Sequence, residues 1–416
     1  MLTDRMAVHI TMRETVGSVD HHEGRPDGWR AEVKFHLMQT GVVGRRHEIE
    51  AGMAGQRSDL YQRFLEEVKG YVRLADEIGY ASYAQPEHHL QIEGFEANNH
   101  PGMFSLFVGM HSKRLYASAM GYTLPTHNPV RVAEEIATLD HMLKGRLNVA
   151  FTRGYHARWV DAYAAVKGVG CTQPANAKAK DEQDTFNREV FEESIQIIKK
   201  AWTSDVFSHH GKHWNFPPVD GSAGHPAYAK FGKGQDENGI VREIGIAPKC
   251  YQSPHPRIFG GFAGTMRTVD MWARENGTPI VLASDLDFCE ALANRWYDGA
   301  ERAGNNPQRG DSIAWGGFLM LTSDKDRAQY LMKEHKWFWD EWFIPHGQRM
   351  PNVLIGSADE IADTIGRAHD RLGFNDLFLM FGQGHLEPEA NNEELNEFIA
   401  KVAPRFSIKA ADGTLV

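Results

Sequence analysis

The stretch LYASAMGYTLPTHNPVRVAEEIATLDHMLKGRLNVAFTRG, residues 115–154, contains one complete strand–helix–strand unit. Its first part, 115–125, is apolar and rich in β-forming residues, and its last part, 146–154, is a second apolar run that ends in glycine. Between them, apolar residues recur at helical spacing, with Pro129 at the start and Gly145 at the end. The pattern predicts two parallel strands joined by a crossover helix.

The same alternation of strand and helix runs through the rest of the chain. We interpret eight segments as strands, namely 33–39, 81–85, 115–125, 146–154, 256–262, 279–284, 312–323 and 376–382. Eight such repeats predict an α/β fold of the (β/α)8 TIM barrel type. The alternative, an open doubly wound sheet, requires a glycine-rich dinucleotide motif after its first strand. FHLMQTGVVG (35–44) contains no G-x-G-x-x-G, so the barrel is preferred.

The domain organisation follows from the segments that lack periodicity. Residues 1–31 are polar and predict an N-terminal extension on the surface, and 32–416 predict one barrel domain. Two further segments, 155–183 and 217–253, predict long insertion loops. Loops of that length in an enzyme are usually lids or walls of a binding site.

Helix ends carry their own signals. In the helix that follows the first strand, Asp59 is a candidate N-cap and Gly79 a candidate C-terminal stop. A second strong helical pattern spans 185–204 and begins without a capping box.

Composition limits the classes of function. The 416 residues are 42% hydrophobic and 24% charged with a net charge of −10, values typical of a globular protein and unfavourable for binding nucleic acid. No apolar run reaches 18 residues, so no membrane span is expected, and the first residues lack the order of a signal peptide. Three widely spaced cysteines predict neither disulfides nor a zinc site and favour the cytoplasm.

The stretch QPEHHLQIEGFEANNHPG (85–102) places Glu87, His88 and His89 just after the second strand. Active sites of TIM barrels form at the carboxyl ends of the strands. Adjacent side chains on extended backbone point in opposite directions, so one histidine of the pair is expected to face the barrel axis as an acid–base group. A histidine that only bonds to loop backbone is the alternative. No metal-ligand spacing accompanies the pair.

Two segments predict a phosphate site. Arg153 follows the fourth strand beside a glycine, where a guanidinium can bind a phosphate with two hydrogen bonds. The loop GGFAGTMRT (260–268) opens a helix, and helix N-terminal amides with hydroxyls suit the same ligand. The alternatives are a salt bridge for Arg153 and an ordinary N-cap for Thr265.

At these residues the chain resembles the bacterial luciferase-like family of flavin-dependent monooxygenases. The similar stretches occur in family order and extend over about 33–385: LADEIGYASYAQPEHH, GYTLPTHNPVRVAEEIATLDHMLKGRLNVAFTRG, FEESIQIIKKAWT with GKHWNF, and GTMRTVDMWARENGTP. The resemblance implies a (β/α)8 barrel and reduced, diffusible FMN supplied by a separate NAD(P)H-flavin reductase. It also implies a homodimer formed through the second and third helices; the alternative is that these helices only cover the barrel. A deazaflavin is the cofactor in one branch of the family.

The resemblance also implies roles for individual residues. His88 corresponds to the catalytic histidine beside the flavin, with His89 next to it. Met120 and Gly121 correspond to a pair that carries a non-proline cis peptide behind the flavin ring. The complete set of implied cofactor-binding residues is Met120, Gly121, Arg153, Gly154, Gly264, Thr265 and Thr268. From position and residue type we predict as substrate-binding residues His36, Tyr122, Trp315 and Trp342.

The resemblance therefore predicts that the protein oxygenates a small organic substrate through a flavin hydroperoxide. Two alternatives stay open: hydride transfer from a deazaflavin without oxygen, and a non-catalytic luciferase-like subunit. The sequence does not choose between a hydroxylated product, an ester and an acid.

Overall fold

A computed structural model of the protein describes residues 32–171, 177–382 and 386–408. The predicted N-terminal extension lies outside these residues. Eight parallel strands form the centre of the molecule: β1 (Glu32–Met38), β2 (Ser82–Gln85), β3 (Tyr116–Thr123), β4 (Leu147–Thr152), β5 (Arg257–Gly260), β6 (Thr278–Val281), β7 (Ala314–Leu321) and β8 (Asp376–Met380).

The strands close into a barrel because each pairs in parallel with the next and β8 pairs with β1. At the closing seam His36 is in register with Phe378. The predicted (β/α)8 TIM barrel is therefore confirmed. A short strand that was not predicted, Val353–Gly356, pairs with the second half of β7.

Helices surround the barrel. In the described part of the chain they are α1 (Arg46–Glu50), α2 (Ser58–Ile78), α3 (Pro101–His111), α4 (Pro129–Met142), α5 (Ala157–Tyr163), α6 (Ala177–Thr203), α7 (Pro226–Phe231), α8 (Met266–Arg274), α9 (Leu286–Arg302), α10 (Lys325–Phe338), α11 (Ala358–Leu372) and α12 (Pro388–Glu397). A π-helical turn, Trp339–Phe343, continues α10. None of these helices is long and apolar enough to cross a membrane.

The unit 115–154 shows why the local sequence folds as it does. The side chain of Asn128 accepts hydrogen bonds from two backbone N–H groups of the first turn of α4, and Pro129 occupies the first helical position. Val132 and Ile136, four residues apart, are buried in the hydrophobic core, and burial of each contributes about 1.5–3 kcal/mol. Beyond the helix Gly145 adopts a φ of +82°, which glycine accepts at low cost.

Two predictions about helix ends were wrong. Helix α2 starts at Ser58 with Arg57 in the cap position, so Asp59 lies inside the first turn, although Gly79 ends the helix with a φ of +98° as expected. Helix α6 begins at Ala177 rather than near 185, and α5 occupies part of the segment predicted as an irregular loop.

A cluster of charged and aromatic side chains fills the barrel interior near the start of the strands. His36 stacks on Phe378 with ring centroids 4.6 Å apart, and its ring nitrogens lie 2.8 Å from Ser82 Oγ and 2.9 Å from Asp376 Oδ1. The guanidinium of Arg257 donates to both carboxylate oxygens of Asp376. These contacts join β1, β2, β5 and β8.

Candidate active site

The carboxyl ends of β2, β3 and β4 meet at one side of the barrel mouth. Glu87 Oε2 accepts a hydrogen bond of 2.7 Å from the backbone N–H of Thr123. Thr152 Oγ1 donates to the carbonyl of Gly121 over 3.2 Å, at a point where the register between β3 and β4 shifts by one residue. The resulting bulge turns the strand end, as bulges commonly do beside active sites.

The buried carboxylate of Glu87 is satisfied entirely by neighbouring residues. Its Oε1 lies 2.7 Å from Nε2 of His127 and 2.9 Å from Nε2 of His89. Burial acts to raise the pKa of Glu87, but the hydrogen bonds from His127, His89 and the Thr123 amide outweigh it and lower the pKa to about 2. His89 is thereby directed towards Glu87, Trp159 and Tyr163.

His88 points in a different direction and lies in a separate network. Its Nε2 is 3.2 Å from Oε1 of Glu96, whereas its Nδ1 is buried and has no hydrogen-bond partner. Burial lowers the pKa of His88 below 6.5, although the charge of Glu96 opposes the shift. The imidazole is therefore neutral at pH 7. The opposite orientations of His88 and His89 agree with the alternation expected on extended backbone.

Glu96 is the centre of the second network. Besides its contact with His88, the carboxylate accepts hydrogen bonds from Tyr155 Oη at 2.6 Å and from Trp342 Nε1 at 2.7 Å, both through Oε2. Glu96 is 1% exposed. It therefore links the loop after β2, the loop after β4 and the π-helical turn after α10.

A pair of histidines that sequence reasoning missed lies beside this network. His156 is 3% exposed, and neither ring nitrogen has a hydrogen-bond partner. Its ring centroid is 4.1 Å from that of His346 and 5.6 Å from that of Trp342. Burial, together with the charges of His346 and His88, lowers the pKa of His156 to about 4.

A basic cluster lies beyond the end of β4. Arg153 pairs with Asp184, which is the salt bridge considered as the alternative for this residue. The same carboxylate is 3.7 Å from Arg188, a guanidinium on α6 that is 4% exposed and whose Nε and Nη1 have no partner. Burial and repulsion from Arg153 and Arg267 lower the pKa of Arg188. An incompletely paired buried cation of this kind suits an anionic ligand.

Arg188 was not predicted, although the sequence contains a signal for it. In α6 the residues Phe191, Ile195 and Ile198 form the buried apolar face, and Arg188 occupies the same face one turn earlier. An arginine in that position is unusual because a charge is costly to bury without a partner. Glu96 and His156 lie in loops, where no periodicity identifies them.

The predicted phosphate loop lies next to the end of β4. Phe151 is in register with Gly260, and a Cβ on Gly261 would come 2.4 Å from Thr152 Cγ2, so the two strand ends approach closely. Thr265 accepts a hydrogen bond of 3.3 Å from the Thr268 amide, which makes it the N-cap of α8, and the two hydroxyls are 2.9 Å apart. Gly264 precedes this cap with open space around it.

A family model described as luciferase-like monooxygenase matches residues 49–376, which is more than half of the chain. The chain belongs to this family. The 3,6-diketocamphane 1,6-monooxygenase of Pseudomonas putida is 23% identical over 352 residues, which are 76% of this chain and 84% of that protein. The alkanal monooxygenase beta chain of Photorhabdus luminescens is 23% identical over 227 residues, or 53% of each chain. These relatives support an oxidoreductase.

Solved structures share the fold of this luciferase-like protein. The monooxygenase RslO1 from Streptomyces bottropensis has a TM-score of 0.66 at 18% identity and covers 89% of this chain and 99% of its own. The FMN complex of the oxygenating constituent of 3,6-diketocamphane monooxygenase, from Pseudomonas putida, also has a TM-score of 0.66 at 18% identity. The match covers 91% of this chain and 100% of that chain. An F420-dependent secondary alcohol dehydrogenase has a TM-score of 0.58 at 13% identity, and the match covers 90% of this chain and 99% of that chain.

One family feature is not present in this luciferase-like protein. The cis peptide bonds within the described residues all precede proline, so the bond between Met120 and Gly121 is trans and the expected cis bond is wrong. Gly121 has a φ of +134° at the bulge. Gly154 has a φ of +74°, and a Cβ there would lie 2.7 Å from Thr123 and 2.8 Å from Val160. Both positions therefore favour glycine.

The four predicted substrate residues fall into two groups. Trp342 shares the carboxylate of Glu96 with His88. The other three make hydrogen bonds elsewhere: His36 in the barrel interior, Tyr122 to Glu135 on α4 at 2.7 Å, and Trp315 to the carbonyl of Ala283 at 2.9 Å.

Proposed function

We propose that this protein is the oxygenating component of a two-component monooxygenase that uses reduced FMN and dioxygen. The observation that carries the proposal is Arg188, a buried guanidinium with two unpartnered nitrogens beside Arg153. An arginine pair of this kind fits a dianionic phosphate ester, and the hydroxyls of Thr265 and Thr268 at the start of α8 are further candidate donors. Riboflavin, which has no phosphate, would not use these groups.

The residues of the chain have separate tasks in this proposal. Reduced flavin, when bound, supplies the electrons for the reduction of dioxygen. Arg153 and Arg188 anchor the phosphate, while His88, neutral at pH 7, is the acid–base group. The buried rings of His156 and Trp342 exclude water from the surroundings of His88, which strengthens electrostatic interactions there.

The proposed partners follow from the same function. A separate NAD(P)H-flavin reductase supplies reduced FMN in the cytoplasm, in line with the description of a structural relative as an oxygenating constituent. A second copy of the chain covers α3 and α4, where the side chains of Met103, Met110 and Met142 are 68%, 72% and 59% exposed. Exposed apolar side chains on neighbouring helices favour a symmetric contact.

Anaerobic titration with reduced FMN, followed by a pulse of oxygen, tests this function. Binding is monitored by quenching of tryptophan fluorescence. We expect saturable binding and a return of oxidised-flavin absorbance that is slower than for free FMN, because the protein shields the reacting ring. Oxidation at the same rate with and without protein would contradict the proposal. Preference for a reduced deazaflavin, with no consumption of oxygen, would favour the hydride-transfer alternative.

A further inference from the structure

The buried carboxylate of Glu96 contacts three side chains from three separate segments of the chain, two of them through hydrogen bonds. Tyr155 and Trp342 donate to Oε2, and Nε2 of His88 lies 3.2 Å from Oε1. Glu96 itself has a φ of +48°, a conformation that a residue with a side chain seldom adopts. Such a conformation persists only where surrounding contacts enforce it. The convergence indicates a specific role for the carboxylate beyond packing.

The two ring nitrogens of His88 have different surroundings. Nε2 faces the carboxylate, and Nδ1 is buried without a partner. A neutral imidazole carries its proton on one nitrogen only. With the proton on Nδ1, an unprotonated Nε2 would lie 3.2 Å from a carboxylate oxygen, and the two negative ends repel each other. With the proton on Nε2, the same contact is attractive.

We propose that Glu96 is a positioning residue that keeps His88 in the Nε2–H tautomer and so makes Nδ1 the atom that accepts a proton. The role of His88 as the proton acceptor rests on the proposed function; the tautomer rests on the contacts alone. In the step, a C–H or O–H bond of the substrate breaks and an N–H bond forms at Nδ1. The electron pair stays on the substrate atom, and no oxidant or reductant takes part. Glu96 then lies beside an imidazolium whose positive charge it balances.

The other carboxylate nearby is not available for this task. Glu87 accepts from His127, His89 and the Thr123 amide, and these contacts use both of its oxygens. His88 therefore depends on Glu96 for orientation. A carboxylate beside one ring nitrogen of a histidine fixes which nitrogen carries the proton and so sets the reactivity of the other.

The ionisable groups around the pair decide how it responds to pH. The charges that act on His88 itself are those of Glu96, Glu87 and His89. The neighbouring rings are surrounded by further ionisable groups from the loops after β2 and β4 and from the segment after α10, namely Glu93, Tyr155, His156, Arg158 and His346. Burial lowers the pKa of His88, and Glu96 opposes the shift. Removing the charge of Glu96 should therefore lower the pKa of His88 further.

Nitrogen-15 NMR of histidine-labelled protein tests the tautomer without cofactor or substrate. The chain has 21 histidines, so the His88 signals are assigned as those that disappear in His88→Gln. We expect one protonated and one unprotonated ring nitrogen at pH 7, with Nε2 as the protonated one. A protonated Nδ1, or an average of the two tautomers, would overturn the proposal. The tautomer is read from the wild-type spectrum, and a second variant, His88→Asn, gives the assignment if His88→Gln folds poorly.

Two variants then test the dependence on Glu96. In Glu96→Gln we expect a mixture of tautomers and a lower pKa of His88 than in the wild type. Glu93→Gln is the matched control, because Glu93 lies in the same loop but pairs with Arg158, and it should leave the His88 signals unchanged. A fixed Nε2–H tautomer in Glu96→Gln would assign the orientation to another group and contradict the proposal.

Failure of the Glu96 proposal and failure of the proposed monooxygenase function give different experimental results. If the tautomer is as expected but reduced FMN neither binds nor reacts with oxygen, the monooxygenase function fails and the assignment of Glu96 stands. If FMN reacts as expected but the tautomer is reversed, only the role of Glu96 is lost. With a substrate in hand, Glu96→Gln should lower kcat more than it raises KM and should shift the acidic limb of the pH profile.

Discussion

The carboxylate of Glu87 accepts a 2.7 Å hydrogen bond from the backbone of Thr123, and this contact joins the carboxyl ends of β2 and β3. The same carboxylate lies within hydrogen-bond distance of His127 and His89, so it organises the whole edge of the barrel on which His88 is presented. In our proposal the two carboxylates have different tasks: Glu87 holds the strand ends together and Glu96 positions His88.

Glu87→Gln should destabilise the fold by about 3 kcal/mol at pH 7, because it leaves a buried cluster without its charge. The pKa of Glu87 is lowered to about 2, so its stabilisation is present above pH 4.5 and lost as the pH falls towards 2. The pKa of His127 is raised, so its contribution is present below pH 6.5 and lost as the pH rises through the folded value. Urea unfolding at a series of pH values across the two intervals measures the contributions of Glu87 and His127 to stability. The exposed Glu77→Gln on α2 is the control and should unfold like the wild type.

Arg188→Met should weaken binding of FMN by about 10- to 100-fold, since a hydrogen bond to a charged group contributes about 1.5–3 kcal/mol. Binding of riboflavin should change little, because riboflavin lacks the phosphate. Fluorescence titration with both ligands makes the comparison. The surface variant Arg295→Met, which removes a pair with Asp270, should bind both ligands normally. An equal loss for FMN and riboflavin would indicate a general disturbance of the site and not a phosphate contact.

Gly154→Ala should lower stability by about 1–3 kcal/mol and weaken binding of FMN. The residue has a φ of +74°, and the added Cβ would meet the side chains of Thr123 and Val160 at less than 3 Å. Thermal unfolding measures the change. Gly70→Ala, in the middle of α2 and with no heavy atom within 4 Å of the added Cβ, should instead stabilise the protein by about 0.5–1 kcal/mol. Stabilisation by Gly154→Ala, as expected for Gly70→Ala, would mean that the strain at Gly154 is absent.

His156 should make the protein sensitive to mild acid. Its pKa is lowered from 6.5 to about 4, so the folded state binds the proton more weakly than the unfolded state. Stability that is complete above pH 6.5 is therefore lost as the pH falls towards 4. In His156→Asn this loss should be smaller, and the midpoint of urea unfolding should vary less across the same interval. A pH dependence identical to that of the wild type would show that the His156 ring protonates freely in the fold.

Met110→Glu should convert the proposed dimer to monomers, because it places a charge on the exposed apolar face of α3. Sedimentation velocity distinguishes the two states. The control is Met350→Glu, which alters a methionine of 39% exposure outside α3 and α4 and should remain dimeric. A wild-type protein that sediments as a monomer would remove the proposed contact altogether.

Several features were accessible from local sequence. The eight strands were predicted because each is a short apolar run next to an amphipathic helix, a pattern that depends on residues close in the chain. His88 and Arg153 were predicted as site residues because they follow strands, and strand ends converge in a barrel; their roles stay predictions. The end of α2 at Gly79 was correct for the same local reason, and Thr265 caps α8, which was the alternative considered for it.

The mistakes also have local causes. Asp59 was assigned as a cap from residue type, but Arg57 occupies the cap position and Ser58 already begins the helix. The early start of α6 at Ala177 was missed because its first two turns are polar and contain no apolar period. Polar helices of this kind resemble loops in a single sequence.

The sequence by itself determined the order of strands and helices, hence the barrel, and the residues that stand at its mouth. Only the tertiary structure decided which carboxylate each histidine meets, that Glu96 gathers Tyr155 and Trp342 from segments 59 and 246 residues away, and that Arg188 is buried with free nitrogens. The physical reason is separation along the chain. The apolar pattern that predicts strands and helices involves residues close in sequence, whereas the partners of a buried charge are distant in sequence and meet only after the barrel has closed.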